Sequence, residues 1–377
     1  MSPADRNAVI VGAGIGGLAA AIAMRRRGWE VSVLERADAV REVGAGISLW
    51  PNAIRALDHL GVGDQVREFS TVDGAGGFRD HRGRWLFRSD LRTRYGETLM
   101  LRRPVLLDIL RSALPAEAIT LNATVSGVER AGDQVTIAYD GVRRPVELLV
   151  GADGLRSTVR ASLWPEARPP VYAGYTTWRL IAPPLDLDSD VSESWGRGER
   201  VGLFRLADGA VYAYFIANSP ENTQYDDRAE LQRRFGRWHD PIPQLLDSLD
   251  GTEILRHDIY RLPALRSYVN GRAVLIGDAA HAMTPDLGQG GATALEDAVE
   301  LADALRGDIT EGLGTYDRRR RPRTQTIARQ SATFGTYAQA SGRLTAPLRN
   351  LTTRLLPQPL FLQATAPLLT WQPTSPN

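Results

Sequence analysis

Residues 7–36 read NAVIVGAGIGGLAAAIAMRRRGWEVSVLER, and this stretch decides the fold. An apolar strand over residues 8–11 leads into a glycine-rich turn and a helix of small residues, and a second apolar strand follows and ends at Glu35. Strand, helix and strand form a complete βαβ unit. We therefore predict an α/β fold that contains a Rossmann-type domain built around this unit.

Three glycines of the turn have the spacing GxGxxG. Gly12 permits the sharp turn, Gly14 lets a pyrophosphate approach the backbone, and Gly17 lets the helix pack closely on the strands. The helix N-terminus offers free N–H groups and a positive dipole end to phosphates, and Glu35 is placed to accept hydrogen bonds from the adenosine ribose of FAD or NAD. The unit therefore predicts dinucleotide binding; the alternative is a Rossmann-like unit that has lost its ligand.

The composition excludes several chemistries. The 377 residues include no lysine and no cysteine, so Walker lysines, Schiff bases, disulfides, iron-sulfur clusters and cysteine nucleophiles are ruled out. The five histidines show no metal-pair spacing, and no metal site is predicted. Any redox chemistry therefore depends on a bound organic cofactor.

Length and charge set further bounds. With 43% hydrophobic residues, the chain can form two domains or one elaborated domain. Its 45 basic and 44 acidic residues give no global reason to expect nucleic acid or an anionic membrane. The uncharged stretch 8–24 has the glycines of a strand, turn and helix rather than a signal peptide, and no other run reaches transmembrane length. We expect a cytoplasmic protein without a membrane span.

The rest of the chain does not continue as regular βα repeats. Residues 73–96 are polar and rich in glycine and arginine. Residues 172–258 hold short strand-like runs such as YTTWRLIA, RVGLFRLA and AVYAYFIA, which predict a separate antiparallel sheet.

Three motifs stand in order along the chain: GAGIGG at 12–17, GADGLRSTVR at 151–160, and GDAAHAMTPDLGQGG at 277–291. Together they resemble the class A flavoprotein monooxygenases, which include aromatic hydroxylases similar to p-hydroxybenzoate and salicylate hydroxylase. The resemblance implies a glutathione-reductase-like FAD-binding domain, an inserted antiparallel-sheet substrate domain and C-terminal helices. The implied ranges are 1–70, 100–170 and 257–310 for the FAD domain, 71–99 and 171–256 for the substrate domain, and 311–377 for the helices.

The resemblance also implies a site for non-covalently bound FAD. Asp278 would hold a ribityl hydroxyl, Asp153 would support the pyrophosphate and the nicotinamide reductant, and Arg103, with Arg102 as the alternative, would reach the phosphates and ribose. Asp153 could instead belong to an ordinary turn, and Arg103 could be a surface residue. Ala292 stands where many members carry asparagine, so one side-chain contact to the flavin is lost. The full implied set is Gly12, Gly14, Gly17, Glu35, Arg36, Ser48, Arg103, Val125, Asp153, Asp278, Gly288, Gly290 and Gly291.

The strand-rich segment is expected to form the floor of a substrate pocket over the flavin. A finer likeness to FAD-dependent urate hydroxylase implies that Arg200 and Tyr212 engage an anionic heteroaromatic substrate, and Pro285 would shape the cavity near the reactive flavin carbon. The alternatives are cross-strand packing for Tyr212 and Tyr214 and a solvated sheet-edge charge for Arg200. His281 is expected to have a structural role.

The implied function is an NADH- or NADPH- and O2-dependent monooxygenase. It would hydroxylate or epoxidise an electron-rich aromatic, heteroaromatic or secondary-metabolite substrate through a C4a-hydroperoxyflavin, as a monomer or homodimer. A reductase or dehydrogenase without oxygen insertion, and a non-catalytic FAD-binding protein, are the alternatives. The arginines at 318–321 and 323 predict a solvated, ion-paired helix rather than a polyanion site. The apolar C-terminal segment is expected to pack across the substrate domain, with docking at a membrane surface as the alternative.

Overall fold

The computed structural model describes residues 6–40, 46–72, 76–90 and 96–374. Parts of the polar stretch 73–96 and of the GAGIS segment at 44–48 therefore lie outside the described residues. The strands are β1 (Asn7–Val11), β2 (Glu30–Leu34), β3 (Gly46–Leu49), β4 (Thr71–Val72), β5 (Gly76–Asp80), β6 (Trp85–Ser89), β7 (Leu99–Arg102), β8 (Ile119–Thr120), β9 (Val125–Ala131), β10 (Gln134–Tyr139), β11 (Val142–Val146), β12 (Leu148–Gly151), β13 (Val171–Ala182), β14 (Val191–Trp195), β15 (Glu199–Arg205), β16 (Val211–Asn218), β17 (Leu255–Arg261), β18 (Val269–Asn270) and β19 (Ala273–Leu275).

Helices cover the sheets and form the C-terminal part of the described chain. Within the described ranges, two short 3-10 turns, Ala116–Ala118 and Pro285–Leu287, complete these elements. The helices are α1 (Ile15–Arg26), α2 (Pro51–Leu60), α3 (Gly63–Glu68), α4 (Arg103–Ser112), α5 (Thr158–Leu163), α6 (Asp227–Phe235), α7 (Ile242–Asp247), α8 (Asp278–His281), α9 (Gly290–Ala304), α10 (Ile309–Ala338), α11 (Thr345–Arg354) and α12 (Gln358–Leu369).

The first large sheet is built on the βαβ unit and has the strand order β18-β19-β12-β1-β2-β8. Its strands run parallel except β18, which joins the edge antiparallel. The apolar residues of β1, β12 and β19 are buried, except half-buried Val9, because helices pack on the sheet, as parallel strands require. α1 packs against α9, so the helix after β1 lies beside the long helix that begins at Gly290. The predicted Rossmann-type α/β domain is confirmed.

The second large sheet has seven strands in the order β17-β13-β16-β15-β14-β5-β6. Neighbouring strands are antiparallel except β5 and β14, which are parallel. On β16 the odd-numbered residues 211–217 pack on α6 and α7 in a hydrophobic core, whereas Tyr212, Tyr214 and Ile216 face the opposite side. This period of two is typical of a strand between two different environments. The predicted antiparallel sheet is therefore present, with one parallel pair.

The chain passes between the two sheets several times. β17 belongs to the second sheet and ends at Arg261, beyond the predicted boundary at residue 257. β4 pairs with β7 in a small sheet that also contains β3. The division of the chain into the predicted domain ranges stays a prediction. Among the described helices, none has both the length and the hydrophobicity needed to cross a bilayer.

Candidate active site

A cavity of about 1520 Å³ is lined by both large sheets and by the C-terminal helices. A site for one small molecule typically measures about 300–1,000 Å³, so this cavity has room for a cofactor ring and a substrate. The first part of its wall contains Gly14, Ser48, Trp50, Arg103, Gly277, Asp278 and residues 283–291. The second part contains Phe78, Phe87, Arg179, Glu193, Trp195, Arg200, Phe204, Tyr212, Tyr214 and His257, and the C-terminal helices and the link between α11 and α12 add Phe334, Leu356, Phe361 and Leu368.

The turn between β1 and α1 opens onto the cavity at one glycine and is closed at two others. A Cβ atom on Gly14 would meet no atom within 4 Å, whereas one on Gly17 would lie 1.9 Å from the carbonyl oxygen of Gly12. Gly12 itself has a φ of 103° and touches the backbone of Ala152. Gly14 therefore leaves the start of α1 accessible, while Gly12 and Gly17 permit close packing.

The segment after β19 places a second helix start at the same cavity. Asp278 is exposed to the cavity although its neighbours Gly277 and Ala279 are buried. The loop then passes Pro285 and Gly288 before α9 begins at Gly290. Gly290 also has open space where a Cβ would be. The N-termini of α1 and α9 therefore both offer free N–H groups to one space.

A buried ion network holds this loop from behind. The guanidinium of Arg320 donates to Asp297 at 2.6 Å and to Glu296 at 2.7 Å, and all three side chains are at most 1% exposed. Asp297 also accepts from the backbone N–H of Gly277 at 2.9 Å and lies 2.5 Å from Nε2 of His281. Burial alone would raise the pKa of Asp297, but His281 and Arg320 hold that pKa below its usual range. His281 therefore has the predicted structural position.

The same network corrects the interpretation of the arginine run at 318–323. Arg319 and Arg321 pair with acidic partners near the surface, as predicted for an ion-paired helix. Arg320 is buried, so the prediction of a solvated helix is wrong at this position. The sequence gives no sign of this difference, because which arginine faces α9 depends on how α10 packs.

Two amides extend the network to the cavity wall. Buried Asn52 donates to Gln289 at 2.9 Å and to Glu296 at 2.6 Å. Nε2 of Gln289 and Nε1 of Trp50 are buried donors that have no hydrogen-bond partner among the described residues, and both residues line the cavity. Buried donors without a partner are rare in folded proteins, so these two groups indicate a place where a ligand accepts hydrogen bonds.

On the second sheet, Arg200 is the centre of a buried charged cluster. Its guanidinium donates to Asp286, to Glu193 at 3.3 Å and to Gln339 at 2.8 Å, and its side chain is 1% exposed. Burial alone would lower the pKa of Arg200, but the two carboxylates more than offset this effect and raise it. The alternative of a solvated sheet-edge charge is therefore wrong.

Aromatic hydroxyls complete the cluster. Tyr214 donates to Glu193, which also accepts from the indole N–H of Trp195 at 2.6 Å, and Tyr175 donates to Asp286 at 2.6 Å. Burial and the nearby Glu193 raise the pKa of Tyr214 well above its ordinary value, so the phenol stays protonated. Each carboxylate thus accepts from several donors and is fixed in place.

The ring of Tyr212 lies on the same face, where two glycines make room for the tyrosines. A Cβ on Gly46 would lie 2.4 Å from the Tyr212 ring, and one on Gly202 would lie 2.2 Å from the Tyr214 ring. Both rings pack near Phe204, with centroids at 5.7 and 5.8 Å. Tyr212 and Tyr214 therefore pack against their neighbours and also line the cavity.

Arg179 and His257 were not singled out by the sequence, yet both line the cavity. Arg179 forms no ion pair with any residue in the described ranges. Burial, followed by the nearby charges of Arg179 and Arg103, lowers the pKa of His257, which favours its neutral form at neutral pH. These residues come together through the pairing of β13 with β17, a register that the sequence does not reveal.

The other predicted FAD residues are divided between the cavity and its surroundings. Ser48 and Arg103 line the cavity, whereas Arg102 pairs with Asp208 at 2.7 Å. At the second motif, residues 151–160, Ala152, Gly154 and Leu155 form part of the cavity wall. The carboxylate of Asp153 instead accepts from Ser157, Thr158 and Val159 at the start of α5.

Glu35, Arg36 and Val125 do not line the cavity. The carboxylate of Glu35 accepts from the backbone N–H of Ala13 at 2.8 Å and of Ala37 at 2.9 Å. Arg36 is exposed, and Val125 is buried at the start of β9. Glu35 therefore stabilises the glycine turn, and its contact with a ribose stays a prediction.

The residues of the first wall fit FAD. Two accessible helix starts suit phosphate and ring oxygens, the exposed carboxylate of Asp278 suits a polyol, and the unpartnered donors of Trp50 and Gln289 suit a ring that carries acceptors. Fold and site together define a Rossmann-type protein with a dinucleotide site facing a substrate sheet.

Comparison with known proteins gives the family. Residues 5–195 and 211–331 match the family described as FAD binding domain. The chain is 38% identical to the aurachin C monooxygenase/isomerase of Stigmatella aurantiaca (88% of this chain and 89% of that protein). It is 33% identical to the FAD-dependent urate hydroxylase of Klebsiella pneumoniae subsp. pneumoniae (85% and 87%) and 34% identical to the 2-heptyl-3-hydroxy-4(1H)-quinolone synthase of Pseudomonas aeruginosa (93% and 94%).

A solved structure agrees with these relatives. Klebsiella pneumoniae HpxO, complexed with FAD and uric acid, has a TM-score of 0.90 and 28% identity, and the match covers 98% of each chain. The chain belongs to the FAD binding domain family and is a FAD-dependent monooxygenase. The resemblance to the class A hydroxylases and the finer likeness to urate hydroxylase are confirmed.

Proposed function

We propose that this protein is a single-component monooxygenase that uses NADH or NADPH to hydroxylate a planar nitrogen heterocycle bearing an apolar chain. The observation that supports this proposal best is the polarity of the cavity. Arg200, Glu193 and Tyr214 give one part of the wall charged and hydroxyl groups, whereas Phe87 and Phe361, whose ring centroids lie 4.7 Å apart, make another part apolar. A substrate with a polar ring and an apolar tail matches both regions.

The names of the relatives support the same class of substrate. One relative acts on urate, and another makes a quinolone with a heptyl group; both compounds are fused nitrogen heterocycles. The heptyl chain needs an apolar region that urate does not need. The apolar part of this cavity therefore favours the quinolone type.

In this proposal, the first wall binds FAD. Asp278 accepts from the ribityl chain, the N-termini of α1 and α9 bind the phosphates and the pyrimidine edge, and Gln289 and Trp50 donate to ring acceptors. When bound, FAD supplies the redox chemistry: NAD(P)H, H⁺, O2 and substrate R–H give NAD(P)⁺, water and R–OH. Pro285 shapes the wall beside the reacting ring and offers no competing N–H.

The second wall orients the substrate. Arg200 is already paired with Glu193 and Asp286, so we assign it to positioning these carboxylates rather than to binding a free anion. Tyr212, which lines the cavity, contacts the ring, and ring N–H groups face the acceptor side of the cluster. Arg179, which has no ion pair within the described ranges, supplies the positive charge for an anionic group of substrate or nicotinamide cofactor.

The sequence has one glycine-rich dinucleotide motif followed by a terminal acid, at residues 12–35. A second domain for NAD(P)H is therefore not expected, and the nicotinamide cofactor visits the flavin transiently. The proposal includes a cytoplasmic location and a monomeric or homodimeric state, which light scattering on the purified protein measures.

The test is aerobic oxidation of NADH and NADPH by the purified yellow protein with a panel of compounds. The panel holds 4(1H)-quinolone, 2-heptyl-4(1H)-quinolone, urate, salicylate and an aminohydroxybenzoate, and mass spectrometry follows the products. We expect the heptyl quinolone to stimulate oxidation most and to gain one oxygen atom. Stimulation by urate alone would contradict the apolar-chain assignment.

The two alternative functions predict different results in the same assay. A reductase or dehydrogenase consumes NAD(P)H with substrate but adds no oxygen to the product. A non-catalytic FAD-binding protein holds flavin that excess NAD(P)H does not bleach under anaerobic conditions. Either result overturns the proposed reaction.

A further inference from the structure

Helix α11 has its polarity reversed relative to a helix on a water-exposed surface. Its inward residues are Ala346, Arg349 and Thr353, all buried. A leucine face lies on the opposite side, and large apolar side chains in a row on an exposed helix mark an interaction surface. The leucine face consists of Leu344, Leu348, Leu351 and Leu355, which are 84%, 60%, 52% and 69% exposed.

The inward arginine fixes this orientation. Arg349 donates to the carbonyl oxygens of Ala338 at 2.6 Å and Gly196 at 2.8 Å, and its guanidinium lies 5.2 Å from the centroid of the Trp195 ring. Rotating α11 to bury its leucines would break these contacts and expose Trp195. The leucine face therefore points outward as a built feature of the fold.

The positive charge of the C-terminal segment indicates which kind of partner the leucine face binds. Residues 318–377 contain nine arginines and neither aspartate nor glutamate, whereas the preceding 317 residues carry 36 basic and 44 acidic residues. Arg343 and Arg354 are exposed at the two ends of the leucine face, and within the described ranges neither forms an ion pair. Apolar side chains framed by positive charge are typical of helices that bind anionic lipid surfaces.

A second copy of this chain fits the face less well. A two-fold contact through α11 brings the same arginines of both copies together, and the helix has no acidic residue to compensate them. We propose that the leucine face of α11, with Arg343 and Arg354, docks the protein on an anionic lipid bilayer. The contact is interfacial and does not require a spanning helix.

The position of the face relative to the cavity gives the contact a use, which rests on the proposed function. Leu356 and Phe361, which follow α11 directly, line the apolar region of the cavity. A bilayer held by α11 lies beside that region, so an apolar substrate dissolved in lipid has a short path to it.

The test is flotation of the purified, flavin-loaded protein with vesicles. One set is phosphatidylcholine alone, and the other contains roughly one third phosphatidylglycerol, which provides the anionic surface. We expect flotation with the anionic vesicles that falls as salt is added, because salt screens the arginines. The triple variant L348S/L351S/L355S should lose roughly tenfold or more of its partition into lipid.

Two further variants separate the contributions. The control L121S/V142S changes two apolar residues that lie outside α11 and are 38% and 48% exposed. It should float like the natural protein. R343Q/R354Q should bind both vesicle types equally weakly. Flavin content and circular dichroism establish that each variant is folded.

Three results overturn the proposal. The first is that the natural protein fails to float with anionic vesicles at low salt. The second is that the triple variant floats as well as the natural protein. In the third, light scattering shows a dimer that the triple variant converts to a monomer, and the partner is then a second copy. Because these measurements need no substrate, a failure here is distinct from a failure of the proposed reaction.

Discussion

Tyr212 and Tyr214 lie two residues apart on one strand, yet their hydroxyl groups have different surroundings. The Tyr214 hydroxyl donates to buried Glu193, whereas the Tyr212 hydroxyl forms no hydrogen bond to any residue in the described part of the chain. The first hydroxyl is therefore part of the protein's own structure. The second is available to a ligand.

We predict that Tyr212→Phe lowers kcat/KM for the substrate by roughly tenfold, because one hydrogen bond in a reaction complex is worth about 1.4 kcal/mol. Its unfolding free energy should stay unchanged. Steady-state kinetics and urea unfolding measure both quantities.

Tyr214→Phe is the matched control. It should lower the unfolding free energy and leave kcat/KM nearly unchanged, the opposite of Tyr212→Phe. Removing a donor from buried Glu193 should reduce the unfolding free energy by about 1–2 kcal/mol. Equal kinetic effects in both variants would contradict the assignment of Tyr212 to the substrate.

Asp278 is the first residue of α8, and it is exposed to the cavity. We predict that Asp278→Ala weakens FAD binding by roughly tenfold or more, since a charge-assisted hydrogen bond to a hydroxyl is lost. Quenching of flavin fluorescence on titration into the apoprotein gives the dissociation constant. Asp133→Ala, an exposed acid on the β9–β10 turn, should bind FAD normally.

For single residues, the sequence predicted where a site residue lies better than it predicted which residues contact it. The glycine spacing predicted which glycine opens to a ligand and which permit packing, because backbone space depends on local sequence. The carboxylates that neutralise Arg200 come from β14 and from the segment after α8, and no local pattern links these segments. Sequence alone therefore could not distinguish a free arginine from a paired one.

Helices α9 and α10 together hold in place the segment that follows β19, residues 277–289. Glu296 and Asp297 of α9 meet Arg320 of α10 in the interior, and Asp297 also accepts from Gly277 at the end of the neighbouring strand. One carboxylate thus joins two helices and the loop. Removing this carboxylate would leave buried polar partners without an acceptor, which lowers the free energy of unfolding.

We predict that Asp297→Asn lowers the unfolding free energy by about 3–5 kcal/mol, because Arg320 loses a buried partner. FAD affinity should fall as well, since Gly277 is no longer held. Urea unfolding and flavin titration measure these effects.

Glu129→Gln provides the comparison, because it removes an exposed ion pair with Arg143. Its effect on the unfolding free energy should stay below about 1 kcal/mol. A similarly small effect of Asp297→Asn would show that the buried network does not support the loop.

The elements themselves were largely predictable. The βαβ unit, the strand runs at 175–182 and 210–217, and the helix after the GQGG loop follow from periodicity and glycine placement. The parallel pairing of β5 with β14 did not follow, because it joins segments more than 100 residues apart. Register between distant strands depends on the whole fold.

The large cavity is built from three parts of the chain, and the C-terminal helices complete its apolar end. Phe87 of the second sheet and Phe361 of α12 have ring centroids 4.7 Å apart, and both line the cavity. The volume available to an alkyl chain is therefore set by a contact between distant segments. The sequence predicted that the C-terminal segment would pack across this part of the chain but not that it would line the site.

We predict that Phe361→Ala shifts the preferred alkyl chain toward longer homologues. Each additional buried CH2 gains about fourfold in affinity where the space exists. A KM series across 2-alkyl-4(1H)-quinolones of increasing length checks the shift.

Phe69→Ala, which removes an exposed ring that does not line the cavity, should leave the chain-length profile unchanged. An unchanged profile in Phe361→Ala as well would mean that the tail does not reach α12.

The environment of Trp195 has an optical consequence. Its indole stacks on Phe78 at 4.5 Å, lies against the Arg349 guanidinium and borders the cavity, so one fluorophore senses both the ligand space and the seating of α11. Ligand entry and movement of that helix should each alter its emission. With seven other tryptophans in the chain, the difference between the natural protein and Trp195→Phe isolates this signal. The emission of Trp195 therefore reports whether a change in the position of α11 at the surface also changes the environment inside the cavity.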